Sequence, residues 1–304
     1  NSKELALDMI HGIADAFAAS LPALSWMDEE TRKAALVKKG TLAWKIGFPE
    51  EWRDYSKLAI ARDSYFANAA AARQFEAARL LAQVGKPVDR KEWGMNAQTV
   101  NASYNPLQHA FTYPAGILQP PFFHKDFPVA MNLGGMGFVI GHELTHGFDD
   151  QGSKFDSLGS MTDWWTPASV KGFEERTACI DQQYSAYEIE PGVKVNGKLT
   201  RGENIADNGG LKQAGDVHQT RQTERGEGPT VAGLTEDQLF FVSAAQVWCS
   251  KATPEAERLQ VQTDPHSPSK FRVMGPMVNH PGFAGAFSCA PGTPMNPPNK
   301  CEVW

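Results

Sequence analysis

The sequence has 304 residues, of which 41% are hydrophobic, and it carries a formal net charge of −6 at pH 7. This mildly acidic charge is spread along the chain without a basic block, so the composition argues against binding to nucleic acid. No stretch of about 18 uncharged apolar residues is present, and we therefore expect no membrane-spanning segment in this chain. A chain of this length can bury a large core, as one domain or two.

Three helices are predicted in the first third of the chain. Residues 3–19 place apolar side chains one helical turn apart, which is typical of an amphipathic helix. Asp28 can cap a second helix that runs to Gly40, because aspartate accepts from free backbone N–H groups and glycine commonly ends helices. The alanine-rich residues 64–84 form the third helix. We expect all three to pack with their methionine and aromatic side chains in the core.

The composition changes after Lys86, where proline and β-forming residues replace the alanine-rich pattern. A short strand is predicted near Val100–Tyr104, followed by extended chain. Pro106 and Pro114 confine such strands to the edge of a sheet, because proline cannot donate a ladder hydrogen bond. An edge strand can bind an extended peptide through main-chain hydrogen bonds, although the segment can also be a plain connection.

The candidate chemistry begins with an H-E-x-x-H motif in a helix predicted to start near Leu133. His142 and His146 are one turn apart on such a helix, so their imidazole nitrogens can reach one zinc ion at roughly 2.0–2.1 Å. Glu143 lies beside them and can take a proton from water at the metal. A motif of three fixed letters also occurs by chance. The apolar run before it, however, predicts a buried helix whose polar side chains need partners.

A second pair of acidic residues supports the metal hypothesis. Glu203 lies 61 residues after His142, far enough for its predicted helix to fold back against the first. A glutamate there completes a set of two histidines and one carboxylate and leaves one coordination position open, as catalytic zinc sites do. Asp207 follows one turn later and can accept a hydrogen bond from the far nitrogen of a zinc-bound histidine. The alternative for both residues is a solvated acidic helix face.

Further helices are predicted downstream. A helix capped by Thr166 is followed by a turn-rich, hairpin-like segment, PGVKVNGKL. Residues 235–249 form another amphipathic helix, and a short helix carrying Arg272 can be capped by Ser267 or Ser269.

The four cysteines lie far apart and form no C-x-x-C pair: Cys179, Cys249, Cys289 and Cys301. This spacing disfavours a zinc knuckle or a redox motif. Buried thiols are one interpretation, and disulfides in an exported protein are another, with three possible pairings.

Several stretches occur together in one order from residue 99 onward: VNASYNP, PAGILQPPFF, VIGHELTHGFDDQGSKFD, VNGKLTRGENIADNGGL, DPHSPSKFRV, NPPNKC and CEVW. With IGFPEEWRDYSKL and PVDRKEW upstream, the chain resembles the C-terminal, catalytic half of the neprilysin and endothelin-converting-enzyme family of zinc metallopeptidases, which includes bacterial oligopeptidases. The resemblance implies an α+β, predominantly helical fold. It would consist of a thermolysin-like zincin catalytic domain with a small sheet, plus helices of a truncated second lobe.

The resemblance also implies roles for individual residues. The ligands of one zinc ion per chain would be His142, His146 and Glu203. Other residues would assist the reaction around that ion: Glu143 as the base that activates water, Asp207 as the group that orients a histidine, His266 as the donor to the oxyanion, and Asp264 as the orienting partner of His266.

Substrate contacts are implied in the same way. Asn101 and Ala102 would hold the substrate backbone at the edge strand, and Arg272 would bind a substrate carbonyl. Asp149, seven residues after His142 on the same helical face, would steady Arg272. An apolar pocket would select cleavage on the amino side of large hydrophobic residues, lined by Ile117, Phe122, Phe138, Val139, Val247 and Trp248.

The resemblance implies that an N-terminal lobe is missing, which agrees with a start that lacks an initiator methionine. We expect residues 1–95 to be a helical segment linking to that lobe and residues 96–304 to be the catalytic domain. Cys179 and Cys301 would pair with each other, as in disulfide-containing relatives. The partners of Cys249 and Cys289 would lie in the absent lobe, which leaves these two free, unusually paired or complemented by another chain. Paired cysteines suggest a periplasmic or secreted location.

Two functional hypotheses follow. The first is a zinc endopeptidase that hydrolyses oligopeptides by attack of zinc-activated water. The second is a catalytically silent peptide-binding fragment that keeps the zinc site but needs the missing lobe to position substrate. A purely structural zinc site is least compatible with the sequence, because no candidate fourth ligand lies at a helical spacing.

Overall fold

The computed structural model describes residues 2–226, 228 and 230–304. Helix α1 spans Ser2–Ser20 and buries Ile10, Ile13 and Phe17, as the apolar spacing predicts. Helix α2 spans Glu29–Gly40, and the Asp28 side chain accepts from the backbone N–H of Thr31, so the predicted cap is confirmed.

Helix α3 corrects one expectation. It spans Tyr65–Leu81 and is capped by Ser64, so the prediction of a helix here is confirmed. None of its residues is buried, however, and the side chains of Tyr65 and Phe66 are 89% and 83% exposed. The expectation that its aromatic residues belong to the core is therefore wrong. A helical period reports which side chains share a face, but it does not report what covers that face.

A three-stranded sheet contains one strand that the sequence analysis missed. Strand β1 (Ala43–Gly47) pairs parallel with β3 (Ala110–Pro114), and β2 (Ser103–Asn105) pairs antiparallel on the other side of β3. The edge position predicted for the first strand is confirmed for β2. It is wrong for the segment ending at Pro114, because β3 is central and its proline stands at the last ladder position, where a missing N–H disturbs the sheet least.

The helix with the H-E-x-x-H motif begins earlier than predicted and contains an irregular turn. Helix α4 (Val129–Asn132) leads into a π-helical turn at Leu133–Gly137, and α5 (Phe138–His146) follows without a break. In the π turn, the backbone N–H of Met136 bonds to the carbonyl of Phe122 in the preceding loop at 2.8 Å. A π turn adds one residue to a helical turn. Because this hydrogen bond is made to a residue outside the helix, the glycine content of the segment does not predict it.

The remaining elements follow the predictions in outline. Helix α6 (Pro167–Ser185) is capped by Thr166. The predicted hairpin-like segment contains β5 (Val193–Lys194), which pairs antiparallel with β4 (Glu188–Glu190) directly before the segment. The other predicted helices are α7 (Arg201–Arg225), α8 (Glu236–Gln246) and α10 (Ser269–Asn279). Two further helices, α9 (Pro254–Thr263) and α11 (Phe283–Ala286), were not predicted from the sequence.

The cap predicted for α10 is wrong. Pro268 is the N-cap residue, and the hydroxyl of Ser267 instead donates to the side chain of Asn204 on α7 at 2.7 Å. Ser267 is 1% exposed, and a buried hydroxyl takes the partner that satisfies it wherever that partner lies.

One hydrophobic cluster unites both ends of the chain. It includes Ile13 of α1, Phe111 of β3, Ile140 of α5 and Ile205 of α7. The segment before residue 96 therefore shares a core with the segment after it, and the division at residue 95 stays a prediction. Cys179 and Cys301 form a disulfide.

Cys249 and Cys289 are free thiols in the described part of the chain. None of its helices combines the length and the apolar character that a membrane crossing requires.

Acid should weaken the fold through His109, which is fully buried. Its Nε2 lies 2.8 Å from the carbonyl of Lys38 and its Nδ1 lies 2.9 Å from the Tyr104 hydroxyl. Burial lowers the pKa of His109 to about 4, although the Lys38 carbonyl opposes this shift. The unfolded chain, with a histidine pKa of about 6.5, takes up a proton first as the pH falls. The contribution of His109 to the free energy of unfolding is therefore fully present above pH ~6.5. It decreases as the pH falls toward 4, by up to ~3 kcal/mol.

Urea unfolding between pH 7 and pH 4.5 measures this loss. His109→Asn, which tolerates the positive φ of 44° at this position, should lower stability at pH 7 and flatten the pH dependence. His11→Asn, at an exposed histidine on α1, should leave the pH dependence as in the wild type. Equal slopes for the His109 variant and the wild type would contradict the assignment.

Candidate active site

Two helices bring the predicted metal ligands together. The ligand atoms of His142 and His146 on α5 and of Glu203 on α7 all lie within 4.8 Å of one another. The backbones of these helices touch: a Cβ on Gly141 would lie 2.7 Å from the carbonyl oxygen of Gly210. Only glycine permits so close an approach, and the contact places the first turn of α7 opposite the last turn of α5.

Each histidine is oriented by a carboxylate on its far nitrogen. His142 Nδ1 lies 2.8 Å from Asp207 Oδ1, as expected, and His146 Nδ1 lies 2.6 Å from Asp149 Oδ2. We assign the protons to the Nδ1 atoms, because an ionised carboxylate only accepts. The Nε2 lone pairs then face the shared centre.

The centre fits a cation. The two Nε2 atoms lie 3.0 Å apart, and Glu203 oxygens lie 3.3 Å and 3.5 Å from them. Glu203 Oε2 is buried without a hydrogen-bond partner. Lone pairs that converge without a donor between them repel one another, and a metal ion removes that conflict. Two imidazoles and a carboxylate are the donor set of catalytic zinc.

The histidines and carboxylates of the site shift one another's pKa values. Burial alone would raise the pKa of Glu203, but the two histidines lower it well below its usual range. Burial and His146 lower the pKa of His142, yet the nearby carboxylates of Asp207 and Glu203 leave it raised. Burial raises the pKa of Glu143, which is 6% exposed, and so makes it a better proton acceptor.

The role predicted for Asp149 needs correction. Helix α5 ends at His146, so Asp149 lies in the following loop and not on the helical face. Its Oδ2 contacts His146, and its Oδ1 accepts from the backbone N–H groups of Gln151 and Gly152 at 2.8 Å and 2.7 Å. It therefore does not steady Arg272. Glycine at position 147, directly after the second histidine, was the sequence signal that the helix could stop there.

Arg272 instead pairs with Asp207, a contact that the sequence analysis missed. Its Nε and Nη2 donate to the two Asp207 oxygens at 2.8 Å and 2.7 Å, and its guanidinium lies 3.8 Å from the ring centroid of Trp248. Asp207 is fully buried and Arg272 is 7% exposed. One carboxylate thus joins the arginine to His142, and spacing on α7 alone could not reveal a partner on α10.

A cavity of about 730 Å³ opens over this centre. Its walls include most of the residues assigned to substrate: Asn101, Ala102, Ile117, Phe122, Phe138, Val139, Trp248 and Arg272. Val247 is not among the lining residues, because it stands at the C-cap of α8 and the next residue, Trp248, turns toward the cavity. Consecutive residues at a helix end point about 100° apart, and here Trp248 is the one that faces the wall.

His266 lies at the mouth of the cavity. Its Nδ1 contacts Asp264 Oδ1 at 2.8 Å, as the resemblance implied, and its Nε2 lies 3.3 Å from Glu203 Oε2. Its side chain is 45% exposed, so it can meet a bound molecule. The cavity lining also contains Asp150, Lys198 and Leu199, which the sequence analysis did not select.

A buried H-E-x-x-H helix facing a glutamate on a second helix, in a mostly helical fold with a small sheet, defines a zincin-type metallopeptidase. Two family profiles, both described as Peptidase family M13, match residues 101–303 and residues 1–49. The chain belongs to peptidase family M13.

Individual relatives agree with this assignment. The whole chain is 46% identical to endothelin-converting enzyme 1 of Homo sapiens and 45% identical to neprilysin-3 of Drosophila melanogaster, and it covers 40% of each. The structure also matches that of the Mycobacterium tuberculosis zinc metalloprotease Zmp1 in complex with an inhibitor. That match has a TM-score of 0.95 at 39% identity over all of this chain and 47% of Zmp1. The chain therefore spans less than half the length of these relatives.

Proposed function

We propose that this chain is the zinc-binding, catalytic part of an endopeptidase that hydrolyses oligopeptides. One observation carries the proposal: the convergence of His142, His146 and Glu203 beside a buried Glu143 at the base of an open cavity. Membership of a peptidase family supports it.

Each residue of the site would have a separate role in hydrolysis. A zinc ion held by His142, His146 and Glu203 would supply a Lewis acid that polarises a peptide carbonyl and acidifies water. Glu143, next to the ligands, would accept the proton of the attacking water and pass it to the leaving amine. His266, with Asp264 accepting from its Nδ1, would act as an imidazolium and direct its Nε2–H to the oxygen on which negative charge develops.

Substrate would bind along β2. This strand is at the edge of the sheet, so its free side can pair with an extended peptide. Asn101 and Ala102 line the cavity directly before β2 and would extend this pairing. Arg272 would donate to a substrate carbonyl with the N–H groups that Asp207 does not use.

The apolar end of the cavity supports a preference for large hydrophobic residues after the cleaved bond. Phe138 and Trp248 meet there edge to face, with ring centroids 6.1 Å apart. Ile117 and Phe122 complete the wall. Burial of a leucine or phenylalanine side chain of a substrate against this wall would stabilise the bound state by about 1.5–3 kcal/mol.

Removing zinc should abolish hydrolysis. A short peptide with one phenylalanine or leucine is incubated with the chain, with and without a zinc chelator, and products are identified by mass spectrometry. Chelator-sensitive cleavage before the hydrophobic residue, restored by about one equivalent of zinc, is the expected result. Failure of the chain to bind zinc would contradict the proposal. Zinc and peptide binding without turnover would favour the silent peptide-binding fragment.

Two further proposals concern the whole protein. An N-terminal lobe would cover the cavity, and the chain spans only 40% of the two relatives named above, which supports such a partner. The protein would act outside the cytoplasm, since the disulfide between Cys179 and Cys301 forms and persists in oxidising compartments.

A further inference from the structure

A lysine is buried beneath the loop that follows the metal-binding helix. Lys38, on α2, is 1% exposed, and its ammonium group lies 2.6 Å from the carbonyl of Gly147, 2.7 Å from that of Gly152 and 2.6 Å from that of Phe155. An ammonium has three N–H donors, and each finds one acceptor here. Burial lowers the pKa of the Lys38 ammonium to about 7, against the attraction of Asp149 and Asp156. A neutral amine would turn a lone pair toward one of these carbonyls, so the three close contacts favour the charged form.

The surroundings fix the lysine from the other sides. Its nitrogen lies 5.2 Å from the ring centroid of Phe148 and 5.1 Å from that of Trp164, within the range of cation–π attraction. The carbonyl of Gly147 belongs to the C-terminal end of α5, where the helix dipole is negative. A cation at that end stabilises the helix terminus.

Two of these carbonyls belong to residues on either side of Asp149, which orients His146. Asp149 lies between Gly147 and Gly152, and its Oδ1 is held by the backbone N–H groups of Gln151 and Gly152. Its Oδ2 then reaches His146 Nδ1 at 2.6 Å. Each end of this loop is tied to the same nitrogen, so the path of the backbone around Asp149 depends on Lys38.

We propose that Lys38 is a positioning residue for the metal site: it gathers the carbonyls of Gly147, Gly152 and Phe155 so that Asp149 is held against His146. Lys38 does not touch the metal ligands, and it acts through the loop. The proposal rests on the zinc site described above, and it assigns to a helix of the N-terminal segment a role in metal affinity.

The chain provides a matched control. Lys45, on β1, is also buried, at 7% exposed, and its ammonium donates to the carbonyl of Glu92 and to Gln108 Oε1 at 2.6 Å and 2.7 Å. Neither partner leads to the metal site. Lys45→Met therefore removes a buried lysine with comparable contacts without disturbing the loop around Asp149.

The test measures metal affinity, not only activity. Zn²⁺ dissociation constants are determined by chelator competition for the full chain, and Co²⁺ absorption spectra report the geometry of the site. We expect Lys38→Met to weaken Zn²⁺ binding about tenfold, at the low end of the range for groups that orient metal ligands. The Co²⁺ spectrum should change as well. Lys45→Met should stay within about twofold of the wild type. Lys38→Gln, which keeps two N–H donors, replaces the methionine variant if that variant does not fold.

A double-mutant cycle tests whether Lys38 affects the metal site through Asp149. Asp149→Asn alone should weaken Zn²⁺ binding about 10–100-fold, and adding Lys38→Met to it should cost less than about twofold more, because the lysine acts through Asp149. Two results would overturn the proposal. One is a full tenfold loss of Zn²⁺ affinity when Lys38→Met is added to Asp149→Asn, and the other is an equal Zn²⁺ affinity for the single variants Lys38→Met and Lys45→Met. If the wild-type chain bound no Zn²⁺, the proposed function would be contradicted. If the wild-type chain bound Zn²⁺ and Lys38→Met did not weaken that binding, only the role of Lys38 would be contradicted.

Discussion

Replacement of Glu143 by glutamine is expected to lower kcat/KM for peptide hydrolysis by about 10²–10⁴, the range that a positioned general base contributes. Glutamine keeps the shape of the side chain but cannot accept a proton at neutral pH. Glu143 is not among the three residues whose atoms form the metal-binding group, so the variant should keep its zinc. Metal content and kcat/KM for a phenylalanine- or leucine-containing peptide, measured on the same sample, check both parts.

The control for this experiment is another carboxylate in the same cavity. Asp150→Asn changes the charge of the lining without touching the proposed proton path, and we expect a much smaller loss of activity. If Glu143→Gln retained activity within tenfold of the wild type, with zinc bound, the base would have to be a different group.

Replacing Arg272 with methionine should destabilise the fold by about 3–5 kcal/mol, the cost of removing one partner from a buried ion pair. Asp207 is fully buried and would lose both hydrogen bonds from the guanidinium, and its charge would then rest on His142 alone. Methionine retains much of the contact with Trp248, so the loss reports chiefly the charge. Urea unfolding monitored by tryptophan fluorescence and circular dichroism measures it.

An exposed pair provides the comparison. Arg258 makes the same two-pronged contact with Glu190, but its side chain is 45% exposed. Arg258→Met should therefore change stability far less than Arg272→Met, because solvent screens an exposed ion pair. Equal losses for the two variants would mean that the Arg272 pair is solvated in solution, contrary to its burial in the structure.

The metal-binding part of the candidate site could be predicted from spacing because it lies on regular helices, whereas the roles of His266, Arg272 and the pocket residues came from the family resemblance. His142 and His146 are one turn apart, and Glu203 and Asp207 are one turn apart on α7, so spacing alone places each pair on one face. The disulfide of Cys179 with Cys301 came from the family resemblance, since four distant cysteines allow three pairings.

What could not be predicted depends on contacts between distant segments. Strand β1 is five residues long, and only its pairing with β3, more than sixty positions away, makes it a strand. The partner of Arg272 lies on another helix, and Lys38 acts on a loop more than one hundred positions away. Hydrophobic period and local signals carry no information about which remote carbonyl or carboxylate a buried charge will find.

The glycine contact between α5 and α7 has a consequence for how this enzyme family can vary. A side chain at Gly210 would collide with the backbone nitrogen of His142, so main chain, rather than packed side chains, sets the spacing between the two ligand-bearing helices. Substitutions in the cavity wall, at positions such as Ile117 or Leu199, leave that spacing untouched. Under the proposed function, substitutions at these wall positions would change selectivity for peptides without changing the spacing of the metal ligands.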